Sequence, residues 1–177
     1  MIIRAARLED LDRLMALHER LQVHHESVEP RIWRPEFYAM AQRRSIHDEN
    51  IRSANGAVYV AEEGDEIVGF LSGRVEEREG TTPGVVGYVQ TAYIGEEWRG
   101  RGVGTALVAR LFEFFESKGV EEASVRYVLA NRGAAQFWEG FGFLPMVCTA
   151  NARLSELRLR LAERSERAER RRKEDKG

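Results

Sequence analysis

Between Trp98 and Gly104 the chain reads Trp-Arg-Gly-Arg-Gly-Val-Gly, three glycines and three basic or aromatic residues in seven positions. Directly behind it the residues become apolar at helical spacing. Glycines at such a turn let successive backbone amides converge with no Cβ in the way. The N-terminus of the helix that follows adds unpaired N–H groups, and Arg99 and Arg101 add charge. The chemistry this suits is the cradling of a phosphate or pyrophosphate. Three other readings compete with it. A nucleotide P-loop requires a Lys after the glycines, and none follows. A dinucleotide fingerprint requires a third glycine where Thr105 stands, although Gly100 and Gly102 match. A ligand-free turn is the plain alternative, because glycine turns are common punctuation.

The elements that would hold this turn can be read around it. Ile2–Ile3 start a short strand, and Leu8, Leu11, Leu14, Leu17 and Leu21 recur as one face of an amphipathic helix. Glu9 and Asp10 fall in its first turn, where the helix dipole favours them. Pro35 can open a second helix reaching about Ile51. From Ala57 two β-rich runs flank Glu63-Gly64-Asp65, a hairpin signal, and Val85–Ile94 forms a third run. After the glycine turn, Leu107, Val108, Leu111, Phe112 and Phe115 make a helix that Gly119 ends. Residues 121–131 read as a strand, and residues 132–142 as a short helix capped by Asn131. Residues 143–150 and the alternation Leu157, Leu159, Leu161 against Arg158, Arg160 predict two closing strands. Residues 162–177 are charged, with little to bury, and read as a helical extension or a disordered tail.

Bulk properties exclude several classes. The 177 residues suffice for one domain with a sizeable core, 43% being hydrophobic and 32% charged. No apolar run is long enough for a membrane span, and the N-terminus lacks a secretory h-region. The net charge of −2 gives no global attraction to nucleic acid; Arg170–Arg172 in the tail is the local exception. The single cysteine, Cys148, rules out an internal disulfide and fits a cytoplasmic protein; it reads as a buried small hydrophobe in a late strand. His18, His24, His25 and His47 show no recognised zinc spacing, so no metal is expected and they read as exposed helix residues.

With the elements in this order, Arg99-Gly100-Arg101-Gly102-Val103-Gly104 resembles the Arg/Gln-x-x-Gly-x-Gly/Ala signature of the GCN5-related N-acetyltransferase (GNAT) superfamily. In that family the loop and its helix grip the pyrophosphate of acetyl-coenzyme A. Upstream, Ala92-Tyr93-Ile94 occupies the strand whose splayed backbone binds the pantetheine arm in the family. Downstream, Asn131 and Ala134–Phe143 (AAQFWEGFGF) are similar to the family's closing motif. The resemblance implies an α+β fold of three layers, with a mixed, mostly antiparallel sheet of about six or seven strands flanked by about four helices. It spans 1–161, with 162–177 as tail. It also implies an N-acetyltransferase moving acetyl from acetyl-CoA directly to a primary amine, of a small molecule or a peptide or protein, and is compatible with a homodimer. A non-catalytic acyl-CoA-binding or regulatory domain is the alternative.

Carried over by position, the implied cofactor contacts are Ala92, Tyr93, Ile94, Arg99 to Thr105 (Gly100, Arg101, Gly102, Val103, Gly104 between them), Asn131, Ala134, Phe137 and Trp138. The chain departs from the pattern at the acid–base groups. The tyrosine proposed in the family to protonate the leaving thiolate falls on Trp138, whose indole N–H is a donor that does not give up its proton; packing, or a wall for the pantetheine arm, is the alternative role. Tyr127 or water is the substitute. The family's occasional glutamate base falls near Tyr88, where Tyr88 or Gln90 could order a relaying water. Glu96 and Glu97 read as the solvated rim of the turn. The acceptor pocket falls on residues 21–51, where Glu26, Glu29 and Trp33 are candidates to attract a cationic amine, against the plain reading of surface charges beside a core aromatic.

Overall fold

The β-rich runs join in a sheet whose spatial order follows the chain. The computed structural model describes residues 1–29, 39–80, 82–148 and 150–174. Strands β1 (Ile2–Ala5), β2 (Gly56–Glu63), β3 (Glu66–Glu77), β4 (Val85–Ile94) and β5 (Ala123–Val125) stand in that order. The first four pair antiparallel and β5 joins β4 parallel. This is the mixed, mostly antiparallel sheet expected, with five strands among the described residues instead of six or seven.

Two compact units make up the chain, Met1–Phe143 and Leu144–Gly177. In the first, helices α1 (Leu11–Val28), α2 (Ala39–Arg52), α3 (Val103–Ser117) and α4 (Arg132–Glu139) cover both faces of the sheet. The helix predicted from Pro35 is described from Ala39; its expected start lies outside the described residues. Period-two alternation divides β2 between two cores. Ala57 and Ala61 pack with Leu71, Leu107, Leu111, Phe115 and Trp138 on the α3 side, while Val58 and Val60 pack with Leu14, Leu17, Leu21 and Phe70 on the α1 side. The central strand β3 is buried along most of its length, as expected of a strand covered on both faces.

Asp10 does more than complement a dipole. Its carboxylate accepts from Arg4 Nη1 at 2.7 Å and Nη2 at 3.0 Å, and from the Arg7 backbone N–H at 2.7 Å. Arg4 also donates to Glu62 through Nε at 2.8 Å and Nη2 at 3.0 Å. The cluster fastens β1, β2 and the start of α1 together. Arg4 holds the Asp10 carboxyl below its ordinary range through these hydrogen bonds.

The second unit corrects two expectations. Residues 143–148 form no strand, and the alternating leucines lie within a 21-residue helix, α5 (Leu154–Glu174). Leu157 and Leu161 also fit helical spacing, and an Arg160–Glu163 pair at 3.3 Å closes i to i+3 on its surface. Leu154, Leu157, Leu159 and Leu161 are all exposed, so no sheet face buries them. Cys148 is likewise exposed, not a buried strand residue. No helix among the described residues is long and apolar enough to cross a membrane.

Candidate functional site

Strands β4 and β5 run together only briefly. Gly87, Tyr88 and Val89 pair with Ala123, Ser124 and Val125; β4 then continues to Ile94 while β5 stops. Beyond Val89 the edge of β4 that faced β5 therefore offers backbone N–H and C=O groups to whatever enters the notch. A bulge sharpens the divergence. Ser72 stands opposite Thr91 and Gly73 opposite Val89, leaving Gln90 as the extra residue. Asn50 of α2, 3% exposed, fixes it by donating from Nδ2 to Gln90 Oε1 at 2.6 Å.

A cavity of about 940 Å³ occupies the notch and extends to both faces of the sheet. At one end lie Trp98, Arg99, Gly100, Gly102, Gly104 and Thr105. Gly100 and Gly102 adopt φ of +72° and +81°, and a Cβ on either would project into open space. These are left-handed positions that glycine occupies without strain, leaving room at the head of α3. Gly104 is a glycine for another reason: a Cβ there would lie 2.9 Å from Ile94 and from Phe137. The last glycine thus lets α3 sit close to β4 and α4. The first-turn N–H groups of α3 have no intrahelical acceptor, which suits them to an anion. Arg99 donates from Nε to the Ile94 carbonyl at 3.1 Å, tying the turn to the end of β4.

Most residues assigned to the cofactor gather here: Ala92, Tyr93, Ile94, Arg99, Gly100, Gly102, Gly104, Thr105, Asn131, Ala134, Phe137 and Trp138 all line the cavity. Arg101 and Val103 do not. Arg101 stacks over the Trp98 ring at 5.5 Å, and Val103 is 2% exposed in the core. Asn131 caps α4, its Oδ1 accepting from Ala134 N–H at 3.0 Å. That fixes its amide, so Nδ2 is the group that donates to His24 Nε2 at 3.2 Å, bridging α4 to α1.

The proposed acid–base residues are separated. Tyr127 lines the cavity, and its buried hydroxyl has no hydrogen-bond partner among the described residues. Trp138 is buried edge-on to Phe137 and Phe143, with centroids 5.0 and 5.4 Å away. Tyr88 lies outside the cavity, before the bulge that turns Gln90 into it. Glu26 and Glu29 also lie outside the lining; Glu26 accepts from Gln22 at 3.0 Å. Trp33, with Phe37 and Tyr38, falls outside the described residues.

The histidines overturn their expected exposure. All four histidines of the chain line the cavity's other end, together with Arg43. His18 and His47 are buried, at 5% and 1% exposure, with His18 Nδ1 3.2 Å from His47 Nε2 and both rings against Phe70. Burial, reinforced by the nearby Arg43 charge, brings His18 down to about 3 and His47 to about 4. Burial first, then His24 and Arg43, brings half-buried His25 to about 4. These three rings are neutral at physiological pH. A signal existed in the sequence: Leu14, His18, Leu21 and His25 occupy one stripe of α1, so these rings stand where the leucines turn inward. Arg43, His47 and Asn50 share the inward stripe of α2 in the same way. Among the described residues no group of His, Cys, Asp and Glu is arranged to hold a metal.

This geometry has relatives. The model of the acetyltransferase (GNAT) family matches residues 14–143. The chain belongs to the GNAT family. A curated relative, an uncharacterized N-acetyltransferase of Methanocaldococcus jannaschii, is 28% identical over 91 residues, 48% of this chain and 38% of its own length. The chain thus matches less than half of that relative. Among solved structures, the tetramutant of the BH1408 protein from Bacillus halodurans superposes with a TM-score of 0.75 at 18% identity, covering 86% of this chain and 99% of that one. A predicted acetyltransferase from Clostridium acetobutylicum, solved with acetyl-CoA, gives 0.69 at 18% identity, covering 88% and 97%. At such identities the structures share the GNAT fold.

Proposed function

We propose that this chain is an N-acetyltransferase that moves the acetyl group of acetyl-CoA directly to a primary amine. One observation carries the reading: the glycine cradle at the head of α3, the unpaired edge of β4 and a chamber of neutral imidazoles form one continuous cavity. A long donor held at one end would present its thioester to an acceptor entering from the other. The cradle residues fit the donor, with open space over Gly100 and Gly102 for a pyrophosphate and strand-edge amides for the pantetheine arm. When bound, acetyl-CoA supplies an already activated acyl group, so the protein's work is positioning and proton handling.

The chain's own groups divide that work. Backbone N–H groups near Ala92 and Tyr93 polarise the acyl oxygen, as a preorganised donor does in acyl transfer. Tyr127, its hydroxyl lacking a protein partner, delivers a proton to the departing sulfur. The acceptor must arrive with its lone pair free. Arg43 and the absence of Asp and Glu among the described lining residues disfavour an ammonium there. The imidazoles of α1 and α2, each both donor and acceptor when neutral, lead the amine proton away from the carbonyl.

The test is acetyl-CoA turnover, read as thiol release over a panel of amines, beside calorimetric binding of acetyl-CoA. Transfer to an amine supports the proposal. Tight acetyl-CoA binding with no transfer to any amine overturns it in favour of a non-catalytic acyl-CoA-binding domain.

A further inference from the structure

We propose that the acceptor carries a carboxylate close to its amine and that Arg43 receives this carboxylate; the proposal rests on the reading of the cavity as an acetyl-transfer site. The two arginines side by side on α2 show the contrast that points to it. Arg44 faces outward and pairs with Asp12 at 2.6 Å. Arg43 is half-buried, lines the cavity, and among the described residues has no carboxylate beside it; desolvation alone lowers its pKa. A guanidinium stays charged in any such setting. A charge partly removed from water without a counter-ion is unfavourable unless something completes it, and a ligand carboxylate can do so through two parallel N–H···O bonds.

The surroundings narrow the ligand. On α1 and α2 the other ionisable side chains of the lining are histidines, of which His18, His25 and His47 are held neutral, while Arg99 and Arg126 line the cavity from the glycine turn and from the residue after β5. The α1–α2 wall therefore offers the single Arg43 charge beside several neutral hydrogen-bonding rings. That complements a monoanion, whereas a phosphate dianion would bring surplus charge. A polycationic amine finds no carboxylate among the described lining residues and meets Arg43 head-on. An amino acid in its anionic form satisfies both demands at once: its carboxylate neutralises Arg43, and its amine is unprotonated and ready to attack. In the transfer the amine nitrogen forms the new C–N bond as the C–S bond breaks. The electron pair of that bond leaves on sulfur, and the nitrogen's surplus proton passes out through the imidazoles.

The experiment measures acetyl transfer to standard L-amino acids, each beside its carboxamide, and to kanamycin as the polycation. It is run on the full chain with acetyl-CoA, for the wild type, Arg43→Gln and Arg43→Lys. Calorimetric binding of the same compounds to CoA-saturated protein is recorded in parallel. A charged hydrogen-bonded pair makes the amino acid better than its carboxamide by roughly ten- to a hundredfold in kcat/KM. Arg43→Gln should erase that ratio by raising the acceptor KM while CoA affinity stays unchanged, and Arg43→Lys should keep part of it. Carboxamides or kanamycin used as well as the amino acids, or an unaltered ratio in Arg43→Gln, overturns the proposal. The two readings fail separately. Arg43-dependent binding of amino acids without transfer supports the carboxylate site and overturns the acetyltransferase; transfer to kanamycin in preference does the reverse.

Discussion

Lowering the pH from 7 to 5 should destabilise this protein through three histidines that line its cavity. An unfolded histidine titrates near 6.5, whereas the native ring of His18 is held near 3 and those of His25 and His47 near 4. Below 6.5 the unfolded chain takes up protons that the native state refuses, so stability is full above that pH and falls as the pH drops toward 4. At pH 5 the unfolded rings are almost wholly protonated and the native rings hardly at all. Each ring then removes roughly 2 kcal/mol. His18 and His47 share one hydrogen bond at 3.2 Å, and about 6 kcal/mol is the upper end for the three rings because their titrations are coupled and solvent partly screens half-buried His25. For a chain of this size that is a fall in Tm on the order of 15 °C.

The window between pH 5 and 7 isolates the histidines. Asp10 is held below its ordinary range by Arg4, so its contribution disappears only as the pH falls through that lower range. The assay is urea unfolding at pH 7 and pH 5, compared with His47→Gln, whose amide keeps a hydrogen-bonding group near His18 but cannot titrate. The variant, with His18 and His25 still titrating, should lose about two-thirds as much stability over the same interval as the wild type. A wild type equally stable at both pH values, or a variant with the full loss, would refute the assignment of neutral buried rings.

Gly102→Val should lower acetyl-CoA affinity at least tenfold, measured by calorimetry, because the residue stands at φ +81° and its side chain would enter the cradle; the strain costs about 1–2 kcal/mol. Gly104→Ala should destabilise by about 1–3 kcal/mol in urea, since its methyl meets Ile94 and Phe137 at 2.9 Å. Asp10→Ala should cost about 2–4 kcal/mol by leaving Arg4 and the Arg7 N–H short of an acceptor; a loss under half that in a thermal melt would show the cluster to be ornamental. Tyr127→Phe should lower kcat with little change in acetyl-CoA affinity, and an unchanged kcat would remove Tyr127 from proton delivery.

The glycine-turn half of the cavity, proposed to hold the donor, was legible because its constraints are local. A left-handed glycine, a helix N-terminus and a capping asparagine each announce themselves within a few residues, and Gly100, Gly102 and Asn131 stand where their spacing puts them. The last expected strand is a helix because five residues of alternation, Leu157 to Leu161, fit period two and leave the helical spacing of Leu157 and Leu161 equally open. The bulge at Gln90 was invisible for another reason. It depends on the register of β3 against β4 and on Asn50 arriving from another element.

The stripe of α1 hints at the histidine half of the cavity, but its chemistry is legible only once α1 and α2 are packed. A histidine on a leucine stripe reads as surface until the neighbouring helix closes over it, as α2 does over His18 by bringing His47 within hydrogen-bond distance. The same packing decides the chemistry. It leaves Glu26 outside the cavity and brings Arg43 into its lining, reversing the sign of charge that a search for acidic residues would assign. A chamber built this way cannot favour a cation by attraction. On the proposed transfer it selects for an amine that has already lost its proton, so that transfer should rise with pH through the acceptor's own amine pKa, with the three depressed histidines contributing no inflection between pH 6 and 9. An inflection near 6.5 that vanished in His47→Gln would place a charged imidazole in the chamber and break that chain of reasoning.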